Sequence, residues 1–343
     1  LDTKEDYAEE VFAGTAQTLD GYAKRWGELN QQACLARKVD KTDDPEMYGR
    51  KTMCLSQRLA RVEQLVVELK EIDAKGLERV RRAADELPVL EDCVDAEALA
   101  RTQAPMDAAT RAKVDAVERV LARVETKLEL GRYKDALSMA EEAKRQAEEA
   151  GDARVEARAL MLLGRAHAEL KQNEEAETHL REALRRADVA RDDTTRVRAW
   201  LHLLRLVGVA KRDFGQVDDL AADAKAALER LGDAPLLWAE YYSNLGSIDK
   251  ARGDFDRAVE YHSKALEIRL AELGEHTVPV AMSRNNLATA LSAKGDFVEA
   301  EKIMRETLAL FTEVLGEWHP YTEIVAQNLG TAVAQRGVRE AGP

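Results

Sequence analysis

The chain has 343 residues and a formal net charge of -13, with 34% charged residues and only 7 Pro and 19 Gly. That composition favours helix throughout, and its acidity would repel a phosphate backbone, which argues against general nucleic-acid binding despite local basic clusters such as Arg79, Arg81 and Arg82. No apolar run approaches the roughly 20 residues that span a bilayer, and the six scattered histidines and three cysteines have no zinc-ligand spacing.

The chain opens on Leu1 rather than Met, so a fragment or a processed chain is expected. Within residues 1–107, Phe12, Thr15, Leu19, Tyr22, Trp26, Leu29 and Ala33 are spaced 3-4-3-4-3-4. After the polar break KVDKTDDPEM, the series Tyr48, Thr52, Leu55, Leu59, Val62, Val66 and Leu69 continues that rhythm. One apolar stripe on each of two long helices predicts a helical hairpin. Asp44 lies midway between Cys34 and Cys54, so antiparallel pairing about it would set these thiols opposite each other. A disulfide and two buried free thiols both fit that placement, and Cys93 has no evident mate.

From residue 108 onward the sequence repeats itself. NLGSIDKARGDF begins at Asn244, NLATALSAKGDF at Asn286 and NLGTAVAQRG at Asn328, 42 residues apart each time. A small residue in one helix is followed 12 residues later by another: Gly164 and Ala176, Gly246 and Ala258, Ala288 and Ala300. Seven residues further on stand Ala183, Ala265 and Thr307. Small side chains at such places let antiparallel helices approach closely, while Gly253 and Gly295 are placed to end the first helix of a pair. Traced back, the second-helix position falls at Ala136, Ala176, Val217, Ala258 and Ala300. That predicts five helical pairs, with the Val217 pair irregular, and a sixth first helix ending near Arg339 as a cap.

This pattern resembles the tetratricopeptide repeat. The resemblance implies an α-α superhelix, the tetratricopeptide solenoid, over 108–343, and with the N-terminal long helical hairpin and linker helices read from spacing over 1–107 the expected fold is all-α. The resemblance further implies that first helices line a concave groove, with the residue two before the small position facing into it. Here that residue is Asn244, Asn286 and Asn328. An amide offers both a donor and an acceptor to an extended peptide; bridging neighbouring helices is the competing role. By the same register Arg158, Arg165, His202, Ser247, Lys250, Asn285 and Thr289 face the groove. Basic residues there would suit an acidic or carboxylate-bearing ligand, whereas solvated charges on a helix face are the plainer reading of any one of them.

Catalytic motifs are absent from the sequence: no phosphate-cradling glycine loop, no HExxH, no HRD and no DFG. The two GDF triplets sit in turns between helices, and His262 falls at a second-helix packing position, where a core histidine is expected. No catalytic residue, cofactor or metal is therefore expected, and an analogy with tetratricopeptide phosphatases finds none of their residues.

Two further resemblances refine the picture. LGEWHPYTEIVAQNLG, with Pro320 eight residues before Asn328, is similar to the 42-residue repeats of kinesin light chains over roughly the last hundred residues. Pro279 stands only seven before Asn286 and His276 is displaced, a departure that bears on the link geometry. Trp26, Cys34, Cys54 followed by Leu55 and Arg58, and the LP…C element ending at Cys93 resemble the segment between kinase domain and repeats in bacterial Hanks-type serine/threonine kinases, abundant in myxobacteria. That resemblance implies the non-catalytic sensory or docking half of such a kinase, and favours the Cys34–Cys54 disulfide in an exported part of an inner-membrane parent; a cytoplasmic scaffold is the alternative. The expected partner is a protein or peptide in the groove, with no nucleic acid and no membrane insertion by this part, and with homodimerisation as a second expectation.

Overall fold

The computed structural model describes residues 7–95, 99 and 108–341. Among them every regular element is helical. Three helices come first: α1 (Ala8–Lys38), α2 (Pro45–Leu69) and α3 (Ala74–Asp85), followed by a 3-10 turn, Glu91–Cys93. The array then runs α4 (Ala108–Glu129), α5 (Tyr133–Ala150), α6 (Ala153–Glu169), α7 (Asn173–Ala190), α8 (Asp193–Arg205), α9 (Val217–Leu231), α10 (Pro235–Arg252), α11 (Phe255–Leu273), α12 (Val278–Lys294), α13 (Phe297–Leu315) and α14 (Pro320–Ala341). Several starts are written in the sequence. Asp44 and Asp73 accept hydrogen bonds from the backbone N–H of Met47 and Gly76, and Pro45 occupies the first turn of α2, where its missing N–H costs nothing.

In the array the small residues do what their spacing requires. Ala136, Ala176, Ala258 and Ala300 are fully buried and Val217 nearly so. A Cβ added at Gly164 would lie 2.8 Å from Leu180 Cγ, and one at Gly246 would lie 2.9 Å from the His262 ring. The helices of the second and fourth pairs thus approach through a missing side chain. Gly253 and Gly295 end α10 and α12 with φ of 90° and 96°, a conformation that side chains disfavour. His262 is buried at 2% exposure, and burial, aided by Lys250 and Arg269, holds its pKa down at about 4, so it is a neutral core residue. The third pair is irregular: after Arg205 the backbone passes through a π-turn, Leu206–Ala210, with Gly208 against Ile248 and Val217.

α1 and α2 form the expected hairpin, and Thr15, Leu19, Leu29, Ala33, Leu55 and Val62 are buried. Phe12 and Val66, however, are 51% and 41% exposed, and their neighbours Val11 and Leu65 take the interior places. A two-helix seam is the wrong frame, because α1 also packs on α3 and α13 and its buried face rotates to serve all of them.

The cysteine pairing also departs from expectation. The disulfide joins Cys54 to Cys93, with Cα atoms 5.4 Å apart, and Cys34 is a half-buried free thiol. Reflection about Asp44 misplaces the axis of the hairpin. α1 ends at Lys38 and α2 begins at Pro45, so the turn is centred between Lys41 and Thr42, and the residue level with Cys54 is near Leu29 rather than Cys34. Leu29, Leu55, Leu90 and Cys93 indeed share one buried cluster with Trp26, whose indole N–H donates to the Leu55 carbonyl at 2.8 Å.

The three N-terminal helices bridge both ends of the array. α2 and α3 pack on α4, while α3 and α1 reach α12 and α13. One apolar core joins Tyr7, Val11, Leu19, Leu77 and Val80 to Val278, Phe311, Leu315 and Val325. Asp85 Oδ2 accepts the Val278 N–H at 3.0 Å, and His319 donates through Nε2 to the Glu78 carbonyl at 3.1 Å while its Nδ1 accepts the Tyr321 N–H. At the other joint Arg61 is buried between α2 and α4, donating to the Ala122 carbonyl at 2.7 Å and to both oxygens of Glu129.

Candidate peptide-binding groove

The first helices α4, α6, α8, α10, α12 and α14 pack side by side, and the residues named from the register are spread along this row. Their electrostatics divide the row in two. In the half nearer the N-terminus, Arg158 is pinned between Glu118 and Glu125, and Arg61 joins the same network through Glu125 at 3.3 Å. Burial pushes the Glu125 carboxyl up, but Arg61, Arg158 and Arg198 together bring it down to about 2, so this cluster is ionised and internally neutralised. Arg158 is therefore a structural cation. His202 is no cation at all, since burial and then Arg165, Arg205 and Arg198 push its pKa well below the usual range. Arg165 and Arg198 make no ion pair among the described residues. The repeat register does not single out Arg198, although it lies four residues before His202 on the same helix. Arg58, on α2, also enters this half, 3.6 Å from Asp92, and only the tertiary fold places it there.

The half formed by α10, α12 and α14 is different. Asn244 is 7% exposed, and its amide donates to the Leu201 carbonyl of α8 at 3.1 Å, so it clasps adjacent first helices and does not line the groove. Asn328 makes the equivalent bond 43 residues back, to Asn285 Oδ1 at 3.1 Å. Asn286 is half-buried, and its amide makes no hydrogen bond among the described residues. Ser247 Oγ is satisfied by the Ser243 carbonyl of its own helix.

Lys250 stands out. Its ammonium is half-buried and donates to Thr289 Oγ1 at 3.2 Å, while Thr289 in turn donates to the Asn286 carbonyl. Among the described residues no carboxylate pairs with it, and burial alone draws its pKa below the ordinary lysine value. Lys250, Thr289 and Asn286 thus form a small polar patch with an unneutralised positive charge, in a chain of net charge -13. Among the described residues no group of three or more His, Cys, Asp or Glu is placed to hold a metal, and no helix is long and apolar enough to cross a membrane.

Comparison with known proteins addresses the fold. No curated protein matches the chain. The chain superposes on NprR in complex with its cognate peptide NprX with a TM-score of 0.53 and 12% identity, over 98% of this chain and 91% of that one. The apo form of the quorum sensor NprR from B. thuringiensis gives 0.50 and 13%, over 94% and 80%. A Podosopora anserina putative kinesin light chain with nearly identical TPR-like repeats gives 0.45 and 17%, over 61% and 98%. The family model described as tetratricopeptide repeat matches residues 117–188, 238–312 and 279–338, more than half of the chain. With small-residue helix contacts at each of those segments, the chain belongs to the tetratricopeptide-repeat family.

Proposed function

We propose that the chain is a non-catalytic module that captures an extended, acidic segment of a partner protein along its first helices, and that it serves as the docking region of a bacterial serine/threonine kinase. The observation that carries the first part is Lys250. A half-buried ammonium with only a hydroxyl for company is destabilising, and an incoming carboxylate would offset that desolvation. The free amide of Asn286, one helical turn before Thr289, is placed to hold the main chain of the same segment. The likeness to NprR, which is solved with a cognate peptide, supports this mode of binding. The kinase connection rests on the resemblance of Trp26–Cys93, and the Cys54–Cys93 bridge supports an oxidising compartment for this part.

The test is an array of extended peptides with graded acidity. Acidic members should bind with affinity that falls as salt rises, and Lys250→Met should weaken the best of them at least tenfold and flatten the salt dependence by about one charge. Equal affinity for Lys250→Met would show that the peptide is held elsewhere than in the groove.

A further inference from the structure

A second recess is built from residues other than those named for the groove. It has a volume of about 300 Å³ and is lined by Gly232, Asp233, Ala234 and Pro235 of the link into α10, by Trp238 and Tyr242 of α10, and by Ile268 of α11. None of these residues is a groove candidate. The Trp238 and Tyr242 rings stack with centroids 5.9 Å apart, and Tyr242 stacks in turn on Tyr261 at 6.1 Å.

This aromatic column already attracts a cation of the chain itself. Lys264 Nζ stands 5.6 Å from the ring centroids of both Tyr242 and Tyr261, paired with Glu260. The Trp238 end of the column has no such occupant among the described residues, and Trp is the strongest cation acceptor of the aromatic side chains. At the rim is Asp233, exposed and without an ion pair among the described residues, with Asp92 close enough to feel its charge.

We propose that this recess is a docking site for an arginine side chain presented by a partner protein. A planar guanidinium can lie against the Trp238 ring while two of its N–H groups donate to the Asp233 carboxylate, and Pro235 and Ile268 cover its methylene stem. Lysine satisfies this site less well, because a compact ammonium neither stacks nor forms a two-pronged bond with a carboxylate. The charge relation is the reverse of that at Lys250, so the two sites take different ligands.

The experiment uses the full chain and Nα-acetyl-arginine methylamide as probe, with the uncharged isostere Nα-acetyl-citrulline methylamide and the lysine analogue beside it. The readout is the indole N–H resonance of Trp238, identified by Trp238→Phe. The arginine probe should shift that resonance saturably in the range of about 1–10 mM. The citrulline and lysine analogues should bind at least fivefold more weakly, and Asp233→Asn should weaken the arginine probe to the same degree. Lys250→Met should leave the shift unchanged. Absence of a shift, equal binding of citrulline, or indifference to Asp233→Asn overturns the proposal; equal binding of lysine overturns the assignment to a guanidinium. Asp233 sits on an exposed link, so its variant decides the matter even if Trp238 variants fold poorly.

Discussion

The N-terminal three-helix bundle and the repeat array are built from the same residue types but are held together in opposite ways. In the array the two helices of a pair approach through small residues recurring at fixed intervals and each pair packs on the next, so its stability accumulates from neighbour contacts. The bundle is fastened by distant partners: Asp85 to Val278 across 193 residues, His319 to Glu78 across 241, and Cys54 to Cys93 across 39. The bundle therefore couples the first repeat to the last, and perturbing it should change how the array closes rather than whether the repeats form.

The largest expected effect tests the bundle. In the chain-entropy model a crosslink of this span contributes about 4 kcal/mol, so Cys93→Ser should lower unfolding free energy by up to that amount, and a reductant should reproduce the loss in the parent chain but not in the variant. Cys34→Ser should change stability by less than about 0.5 kcal/mol. If instead Cys34→Ser abolishes the crosslink in a thiol count of the unreduced chain, Cys54 does not pair with Cys93.

The next effect tests the array. Gly164→Val forces a side chain into Leu180 and to within 3.1 Å of the Ala176 carbonyl, where backbone cannot yield, and should cost about 3 kcal/mol in a denaturant titration. The loss should appear as lowered cooperativity among the middle repeats while the Cys54–Cys93 bridge remains intact. A neutral outcome would mean that the helices do not approach through this residue.

This contrast explains what the sequence can disclose. Gly164, Gly246, Ala288 and their partners are legible because a solenoid repeats its closest contact at fixed separation, so three copies establish the register. The closure by the bundle is not legible: nothing local in Glu78 or Asp85 points to His319 or Val278. The same limit misdirects the hairpin stripe at Phe12 and Val66, where a third packing partner rotates the buried face. Reflection about a single residue gives Cys54 the wrong mate, because the polar break is not a point but a six-residue connection from Val39 to Asp44. In the groove, register places Lys250 and Thr289 on a shared face, but only geometry reveals that Arg158 is neutralised from within and Lys250 is not.

Acid should separate the two regions at a smaller scale. Burial holds His319, at the bundle contact, at about 4 even though the Glu78 carbonyl works in the other direction, and burial with Lys250 and Arg269 does the same for His262 inside the fourth pair. Both values lie below the 6.5 of an unfolded histidine, so as pH falls the unfolded chain binds protons first. The stability each neutral ring contributes is full above pH 6.5 and is lost as pH drops from there toward 4. At pH 5 the loss is about 2 kcal/mol per histidine. His319→Gln should flatten the pH dependence of stability by about that amount and loosen the bundle, while His262→Gln should flatten it equally and loosen the fourth repeat. An unaltered pH profile in His319→Gln would mean that its ring is not buried in the neutral form.

The smallest effects distinguish three asparagines that look alike in sequence. Asn244→Ala removes a buried hydrogen bond between adjacent first helices, to the Leu201 carbonyl, so it should cost about 1 kcal/mol. Asn286→Ala removes an amide that bonds nothing among the described residues, and stability should stay within about 0.5 kcal/mol. If a peptide uses this groove, the order reverses for binding, and Asn286→Ala should weaken an acidic peptide severalfold while leaving the melting curve in place. A position that matters little to folding and much to binding is what a ligand contact requires. Should Asn286→Ala instead destabilise the chain as Asn244→Ala does, its amide clasps α10 as the other two clasp their neighbours, and the repeated asparagine is an element of construction at all three places.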